Sequence, residues 1–282
     1  KNEDFDFGID LLRHTANNNS NVENQRFSNN RLGLDGTYYF EQGFAVNGEI
    51  GFQSNGVYYY GYNDINEEID SLDYSFTDDE VRQRFSIFDF GLDLFNGERT
   101  QGDFNYRAGI DIYLMDDNYA ARENGFLLTI EGTKWFADQH PLNVSLRTDF
   151  SNFRDTAKQS LNNFYLEPNY TFHGDAFQVK IGGNLVSTDD NFFLFPSLEA
   201  SANIMEGIIT AYVGANGSLT KNNFRNLADY NPFIRTRLNV RNSKWTEYYG
   251  GIKGTIAGIG YQAQLGFKNI DNLALFQLTN PL

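Results

Sequence analysis

Apolar and polar residues alternate along most of this chain. Phe126, Leu128, Ile130 and Phe136 share one parity and Leu127, Thr129, Glu131, Thr133 and Trp135 the other. A polar break at Ala137–Pro141 follows, and then Leu142, Val144, Leu146, Thr148 and Phe150 alternate with Asn143, Ser145, Arg147 and Asp149. Period two over such a span predicts a β-hairpin with one apolar and one polar face. Each arm runs to roughly ten residues, the length with which a tilted strand crosses a bilayer.

The same unit recurs. Phe5–Leu12 reads as a strand, followed by a polar, Asn-rich loop from His14 to Asn30. Leu32–Phe40 turns at Glu41–Gly43 into Phe44–Phe52. A long excursion from Ser54 to Arg84 carries Tyr58, Tyr59, Tyr60 and Tyr62 and then the acids Glu67, Glu68, Asp70, Asp73, Asp78, Asp79 and Glu80. Phe88–Leu94 and Phe104–Leu114 follow, with loops predicted at Asp116–Asn124 and Ser151–Asn163 around the hairpin described first. Phe164–Phe172 and Phe177–Leu185 flank a turn at His173–Asp175. Phe193, Phe195, Leu198, Ala200, Ala202 and Ile204 form the next strand, turning at Met205–Gly207 into Ile209–Ala215. The longest polar stretch, Gly217–Lys244, precedes a last hairpin, Tyr248–Ile256 and Tyr261–Phe267.

Short turns and long loops alternate through this order. In a meander, alternate connections lie on the same side, so one end carries turns and the other loops, as in outer-membrane barrels with periplasmic turns and extracellular loops. A soluble β-sandwich gives no reason for that asymmetry. The pattern predicts an all-β transmembrane antiparallel barrel in a single domain spanning residues 1–282. Thirteen segments are legible, and barrels of one bacterial chain have even strand numbers, so about fourteen are expected. The fourteenth belongs near Leu273–Leu278 or past the end. A barrel of that width leaves more interior than eight strands, whose side chains fill it.

Composition fits. The 282 residues include 17 Tyr and 26 Phe but 2 Met, a surplus that aromatic girdles at two membrane interfaces use. Mean hydropathy is −0.50, and no apolar run approaches the roughly eighteen residues of a membrane helix. A net charge of −15 argues against nucleic acid. Cysteine is absent, which excludes disulfides and thiolate metal sites. An exported barrel needs a signal that the first residues do not show, and the end at Asn280–Leu282 lacks a terminal aromatic strand, so both termini read as cut.

The polar parity places Asp6, Asp10, Arg31, Asp35, Glu49, Asp89, Asp93, Arg107, Asp111, Glu131, Arg147, Asp149, Glu167, Lys180, Glu199, Lys253 and Lys268 toward the lumen. Of these, Glu49, Asp93, Arg107, Asp111, Glu131, Arg147, Lys180 and Lys253 are the candidate lumen-lining residues. Both signs are present, which suits a charged aqueous channel and equally an interior of mutual salt bridges. Glycines within strands (Gly36, Gly48, Gly91, Gly109, Gly182, Gly183, Gly250, Gly251 and Gly254) read as barrel shaping. The loop Leu219–Arg237 mixes aromatic and Arg side chains, as interfaces do. Its candidates are Phe224, Arg225, Tyr230, Phe233 and Arg235, set against the simpler reading of a loop packed on its own rim.

No catalytic, cofactor or metal site emerges. His140 and His173 sit in short turns and His14 ends a strand near Asp10, an arrangement commoner in surface pairs than in hydrolases. The pairs Asp78–Asp79, Asp116–Asp117 and Asp189–Asp190 follow no calcium-loop spacing and read as solvated loop charge. Gly258–Gly260 is a turn, and the sequons at Asn143, Asn169 and Asn216 carry no weight in strands.

The C-terminal third, from Phe195-Pro196-Ser197-Leu198 through Asn203-Ile204-Met205 and Tyr212-Val213-Gly214 to Tyr249-Gly250-Gly251-Ile252-Lys253-Gly254, resembles TonB-dependent-receptor-like outer-membrane barrels. Plugged receptors of that kind carry an N-terminal plug, a TonB box and about twenty-two strands, none of which this sequence shows. The resemblance therefore implies the barrel without its plug rather than energised siderophore or glycan uptake. Two functions follow as expectations. The first is a pore or transport barrel for small solutes, with the Ser54–Arg84 loop folded inward as a constriction. The second is a non-transporting subunit of an outer-membrane assembly or secretion complex that uses its long loops. The expected location is the bacterial outer membrane. The expected partners are outer-membrane lipid and lipopolysaccharide, with other outer-membrane proteins or lipoproteins under the second reading.

Overall fold

The computed structural model describes residues 4–18, 22–60, 76–205, 208–234 and 238–277. Thirteen strands follow one another: β1 Phe5–Asn17, β2 Arg26–Tyr39, β3 Phe44–Tyr58, β4 Arg82–Asn96, β5 Phe104–Asp117, β6 Arg122–Phe136 and β7 His140–Arg154. Then come β8 Lys158–His173, β9 Phe177–Thr188, β10 Asn191–Met205, β11 Ile209–Asn222, β12 Arg241–Ile256 and β13 Ile259–Asp271, with a short helix α1, Phe224–Tyr230, between β11 and β12. They make one antiparallel sheet whose spatial order is the chain order. A meander of this kind satisfies nearly all main-chain groups between neighbours, which a wall inside hydrocarbon must do.

The predicted parities hold in most strands. Leu32, Leu34, Ile50, Phe52, Phe90, Leu92, Ile110, Ile112, Ile130, Leu146, Leu166 and Leu265 all lie exposed on the outer face. That face is far larger than the apolar patches of soluble monomers, and hydrocarbon is the solvent that suits it. Aromatic rings gather toward both ends of the strands. Near the turns, Phe40 packs 4.7 Å from Tyr38 and 4.3 Å from Phe44, and Phe172 lies 5.8 Å from Phe177. Toward the loops, Phe150 lies 6.3 Å from Phe126 and 5.2 Å from Phe164.

Several boundaries differ from the sequence reading. His14 lies inside β1, and β2 begins at Arg26. The loops expected at Asp116–Asn124 and Ser151–Asn163 shrink to residues 118–121 and 155–157. Asp189 and Asp190 form a two-residue turn with φ of 48° and 61°, the left-handed pair a tight hairpin requires. The strict alternation of turns with long loops therefore fails at these three connections. The reason is strand length: β8 and β12 reach 16 residues, more than the bilayer needs, so the wall rises past it with polar outward residues that imitate loop composition. Likewise Gly217–Asn222 and Arg241–Lys244 belong to β11 and β12.

In β10 the parity is also corrected. Phe192 and Leu194 face outward, 83% and 73% exposed, whereas Phe195 is buried on the inner face with Phe193 beside it. Pro168 and Pro196, on the strands flanking β9, both lie near Gly182–Gly183. The β8–β9 ladder is interrupted at Glu167 and Pro168, and a Cβ on Gly182 would lie 2.6 Å from the Pro168 carbonyl. The missing proline N–H groups are accommodated where the facing strand has no side chains.

Thirteen strands, not fourteen, are present among the described residues. Leu273–Gln277 follows β13 without strand structure, and Leu278 lies outside the described residues. Among the described residues the sheet does not close: β1 pairs only with β2 and β13 only with β12.

The wall's polarity is open to a direct check. Leu92→Arg places a charge in the outward apolar band and should destabilise the folded state by about 2–4 kcal/mol in urea titrations of liposome-folded protein. An unchanged midpoint would mean that this face does not meet lipid.

Candidate functional site

Alternation forces the charged residues onto the inner face, and cross-strand pairing sets their company. Arg31 bonds Asp10 at 2.9 Å and Arg107 bonds Asp93 at 2.7 Å. Glu131 stands opposite Arg107, and Arg147 lies 4.0 Å from Glu167 with its guanidinium 4.2 Å from the Tyr165 ring centre. Lys180 stands opposite Glu199, and Lys253 lies over the Tyr212 ring at 5.5 Å. Asp111 and Glu49 both oppose Gly91 from either side. A Cβ on Gly91 would meet Glu49 at 2.5 Å, and one on Gly109 would collide with Asp93, so these glycines let carboxylates lie along the wall. Nearer the turns an amide ladder crosses three strands: Thr133 Oγ1 donates to Asn143 Oδ1 at 2.6 Å, and Asn143 Nδ2 to Asn169 Oδ1 at 3.1 Å.

At the loop end the wall parts. β10 pairs with β11 only from Ser197–Asn216 toward the turn, and residues 191–196 pair with β9 alone. Pro196 marks the departure, since it has no N–H to donate. Past it, β11 leans inward across β10, and Asn184 Nδ2 of β9 donates to the Gly217 carbonyl at 2.6 Å. Leu219 then packs against Tyr165, Val186 and Phe195. β12 travels with it: Asn242 Nδ2 donates to Asn163 Oδ1 at 2.7 Å and to Thr188 Oγ1 at 2.8 Å.

The leaning hairpin carries α1 to the opposite wall. Asn223 caps the helix, its side chain accepting from the Asn226 N–H. The carboxylate of Glu123, on β6, accepts from the Phe224 N–H at 2.7 Å, the Arg225 N–H at 3.1 Å, Asn223 Nδ2 at 2.7 Å and the Tyr113 hydroxyl at 2.8 Å. A carboxylate at first-turn N–H groups is favourable twice, through hydrogen bonds and through the helix dipole. Arg225 bonds Asp89 at 2.6 Å and lies 4.6 Å from the Tyr113 ring centre. Lys221 pairs with Asp149. Gln159 of β8 donates to the Leu238 carbonyl at 2.6 Å and accepts from the Val240 N–H at 3.1 Å. Phe224, Ala228, Ile234 and Val240 of this connection pack with Phe85, Ile87, Met115, Phe153 and Leu161 of the wall.

The five loop candidates thus separate. Phe224 is fully buried and Arg225 is engaged with the wall. Tyr230 is exposed and stacks on Phe276, while Phe233 meets Tyr59 and Tyr60 edge-on. Arg235 lies outside the described residues, as do residues 61–75, which hold most of the excursion expected to fold inward. Glu123, which organises the connection, lies in a segment whose polar composition predicts loop. Asn223 did carry a helix-start signal, a capping residue ahead of helix formers. His140 and His173 pack together with Phe172 at the turn end, and the His173 N–H donates to His140 Nδ1 at 3.1 Å. Among the described residues no group of three His, Asp or Glu is placed to hold a metal. Outside the strands, Glu80 is held below the usual carboxylate range by the Thr77 N–H and hydroxyl, both at 2.8 Å.

Two of the cavities among the described residues lie on the inner face. One, about 480 Å³, lies toward the turns and is lined by Thr37, Asn47, Asp93, Asn96, Arg107 and Glu131 among others. The other, about 600 Å³, lies at the loop end between β1–β3 and the β11–β12 connection. A shallow apolar groove of about 720 Å³ runs across the outer face of β9–β13 and faces the lipid side.

The sequence matches no family model, and no curated protein matches it. Solved structures do match. The siderophore receptor PirA from Acinetobacter baumannii superposes with a TM-score of 0.69 at 10% identity, over 96% of this chain and 48% of that one. PirA from Pseudomonas aeruginosa gives 0.67 at 14%, over 95% and 49%. The ferric yersiniabactin uptake receptor FyuA from Yersinia pestis gives 0.62 at 12%, over 98% and 51%. The chain spans about half the length of these receptors. At such identities the likeness is one of fold: the sheet has the architecture of an outer-membrane receptor barrel, as the resemblance in the C-terminal third implies.

The Glu123 anchor makes a prediction. Glu123→Ala removes the acceptor of four donors, each costing about 1–3 kcal/mol if left buried and unpaired. Hydrogen exchange across residues 223–240 should rise at least tenfold while the strands stay protected. Unchanged exchange there would show that the carboxylate does not hold the connection.

Proposed function

We propose that this chain forms the wall of a bacterial outer-membrane transport barrel for small solutes. Its turns face the periplasm, and its outer mouth is narrowed by the inward β11–β12 connection. The observation that carries the reading is the segregation of the wall, apolar outside and charged inside, around a lumen whose only described filling is a connection latched at one carboxylate. The receptor folds it resembles, named for siderophore and ferric yersiniabactin uptake, support transport as the task. The candidate lumen residues then act on the passing solute's charge. On the described inner face of β1–β6, Asp6, Asp10, Asp35, Glu49, Asp89, Asp93, Asp111 and Glu131 face Arg31, Arg107 and Arg225, so this half of the lumen favours cations. The assembly-subunit reading needs free loops, and Phe224 and Arg225 are spent on intramolecular contacts.

Planar-bilayer recordings test the proposal. Phe224→Ala, which empties a buried site, should raise the open conductance or its probability severalfold. Arg107→Ala exposes Asp93 beside Glu131 and should move the reversal potential in a salt gradient toward cation selectivity. A wall that never conducts, or a reversal potential indifferent to Arg107, would leave the assembly role as the better account.

A further inference from the structure

The parting of β10 from β11 cuts into the lipid-facing band. Leu194 stands in register with Leu185, Leu166 and Leu146 of the three preceding strands. Residues 191–196 pair with β9 alone, so alternate residues of this edge turn N–H and C=O groups toward the parting. Hydrocarbon satisfies no such group. An occupant of this seam therefore needs polar atoms as well as an apolar body.

The surroundings supply the apolar part. Phe192 and Leu194 form an exposed outer lip, and Phe193, Phe195 and Leu219 line the way inward. The groove on the outer face begins directly below. Leu198 and Ala215 form the second pair beneath the point where the ladder stops, and both line it. Where neighbouring strands carry Leu, Ile and Phe outward, β10 and β11 carry Ala200, Ala202, Ala211 and Ala215. Their missing volume makes the groove, with Ile181 on one side and Tyr248 on the other. Lys180, Glu199 and Tyr249 also border it, but their side chains lie on the inner face, where the Tyr249 hydroxyl donates to Glu199 at 2.6 Å. At about 720 Å³ the groove falls within the range of small-molecule sites, about 300–1,000 Å³.

A cation stands at the inner side of the seam. Lys244 Nζ lies 4.8 Å from the Phe193 ring centre. Its partner Asp271 is exposed and 3.4 Å away, a longer contact than the Arg31, Arg107 and Arg225 pairs. The acids Asp189 and Asp190 lie past Asn191, in the turn at the loop end. A ligand carboxylate at Lys244 would replace one exposed acid by another and add the N–H donors of the β10 edge. An acceptor-only head at Lys244 and a single apolar tail reaching the groove describe a long-chain carboxylate.

We propose that the β10–β11 parting is a lateral binding site for a long-chain fatty acid. The carboxylate sits at Lys244, and the chain runs through the seam into the outer groove. The site needs the wall's outer face to meet lipid and is independent of whether the lumen conducts.

Equilibrium binding tests it. The full chain in lipid nanodiscs is titrated with a dansyl-labelled undecanoic acid, against empty discs. The probe is then displaced with oleate, oleyl alcohol or dioleoyl phosphatidylglycerol. Saturable binding at one probe per chain is expected, with oleate displacing it at least tenfold more readily than the other two. Lys244→Gln should remove the preference for oleate over the alcohol. Ala200→Leu with Ala215→Leu fills the groove and should weaken the probe tenfold or more. The chain has no cysteine, and a Cβ on Gly217 would lie 3.1 Å from the Phe195 Cβ, close enough for an engineered disulfide across the seam. Phe195→Cys with Gly217→Cys should bind the probe when reduced and lose it when oxidised. Retention of the heat-dependent mobility shift in gels verifies that each variant is folded. Probe uptake that never saturates, displacement by the two-chain lipid as ready as by oleate, or binding indifferent to Lys244, to the filled groove or to the disulfide would overturn the assignment.

Discussion

Main-chain hydrogen bonding governs this molecule. A strand in hydrocarbon can leave none of its N–H or C=O groups to solvent, so each must find a neighbouring strand. The β1–β13 meander, in which each strand pairs with its neighbours in the chain, is the response, and it fixes everything downstream. Once the ladder is set, side chains have two faces only, and lipid claims one of them for Leu, Ile and Phe. The charged residues are left with the lumen, where they lie within reach of one another.

Where the ladder yields, the side chains show how it is compensated. At Pro196 the β10–β11 pairing stops, and Asn184 supplies a side-chain donor to Gly217 in place of a backbone one. That local exchange frees the β11–β12 hairpin to lean inward. Its helix would arrive at the far wall with unsatisfied N–H groups, and Glu123 accepts two of them directly. One proline and one carboxylate thus connect the wall's geometry to what fills its mouth. The hydrophobic cluster around Phe224 stabilises the arrangement by burial, but the acceptor at Glu123 decides where the helix sits.

The superposed receptors place this sheet in context. They share its architecture across nearly the whole chain, while the chain spans about half of theirs. β1 and β13 are both odd in the meander and run in the same direction. Antiparallel closure of such a wall therefore requires an odd number of strands between them.

Sequence alone determined the architecture, because period-two alternation is imposed residue by residue by the two solvents on either side of the wall. It placed the strands from Leu32 to Phe267 and their outward apolar faces. It misjudged the strand ends at Asp116–Asn124 and Ser151–Asn163, since strand that rises past the bilayer has the composition of loop. It also mixed two parities in β10, where Phe192, Phe193, Leu194 and Phe195 are all apolar and alternation carries no information. What only the tertiary structure decided are contacts between residues far apart in the chain: Glu123 with Phe224, Asn163 with Asn242, Asp89 with Arg225. No local period encodes these, because they depend on a hairpin leaving its own wall and crossing the lumen to another.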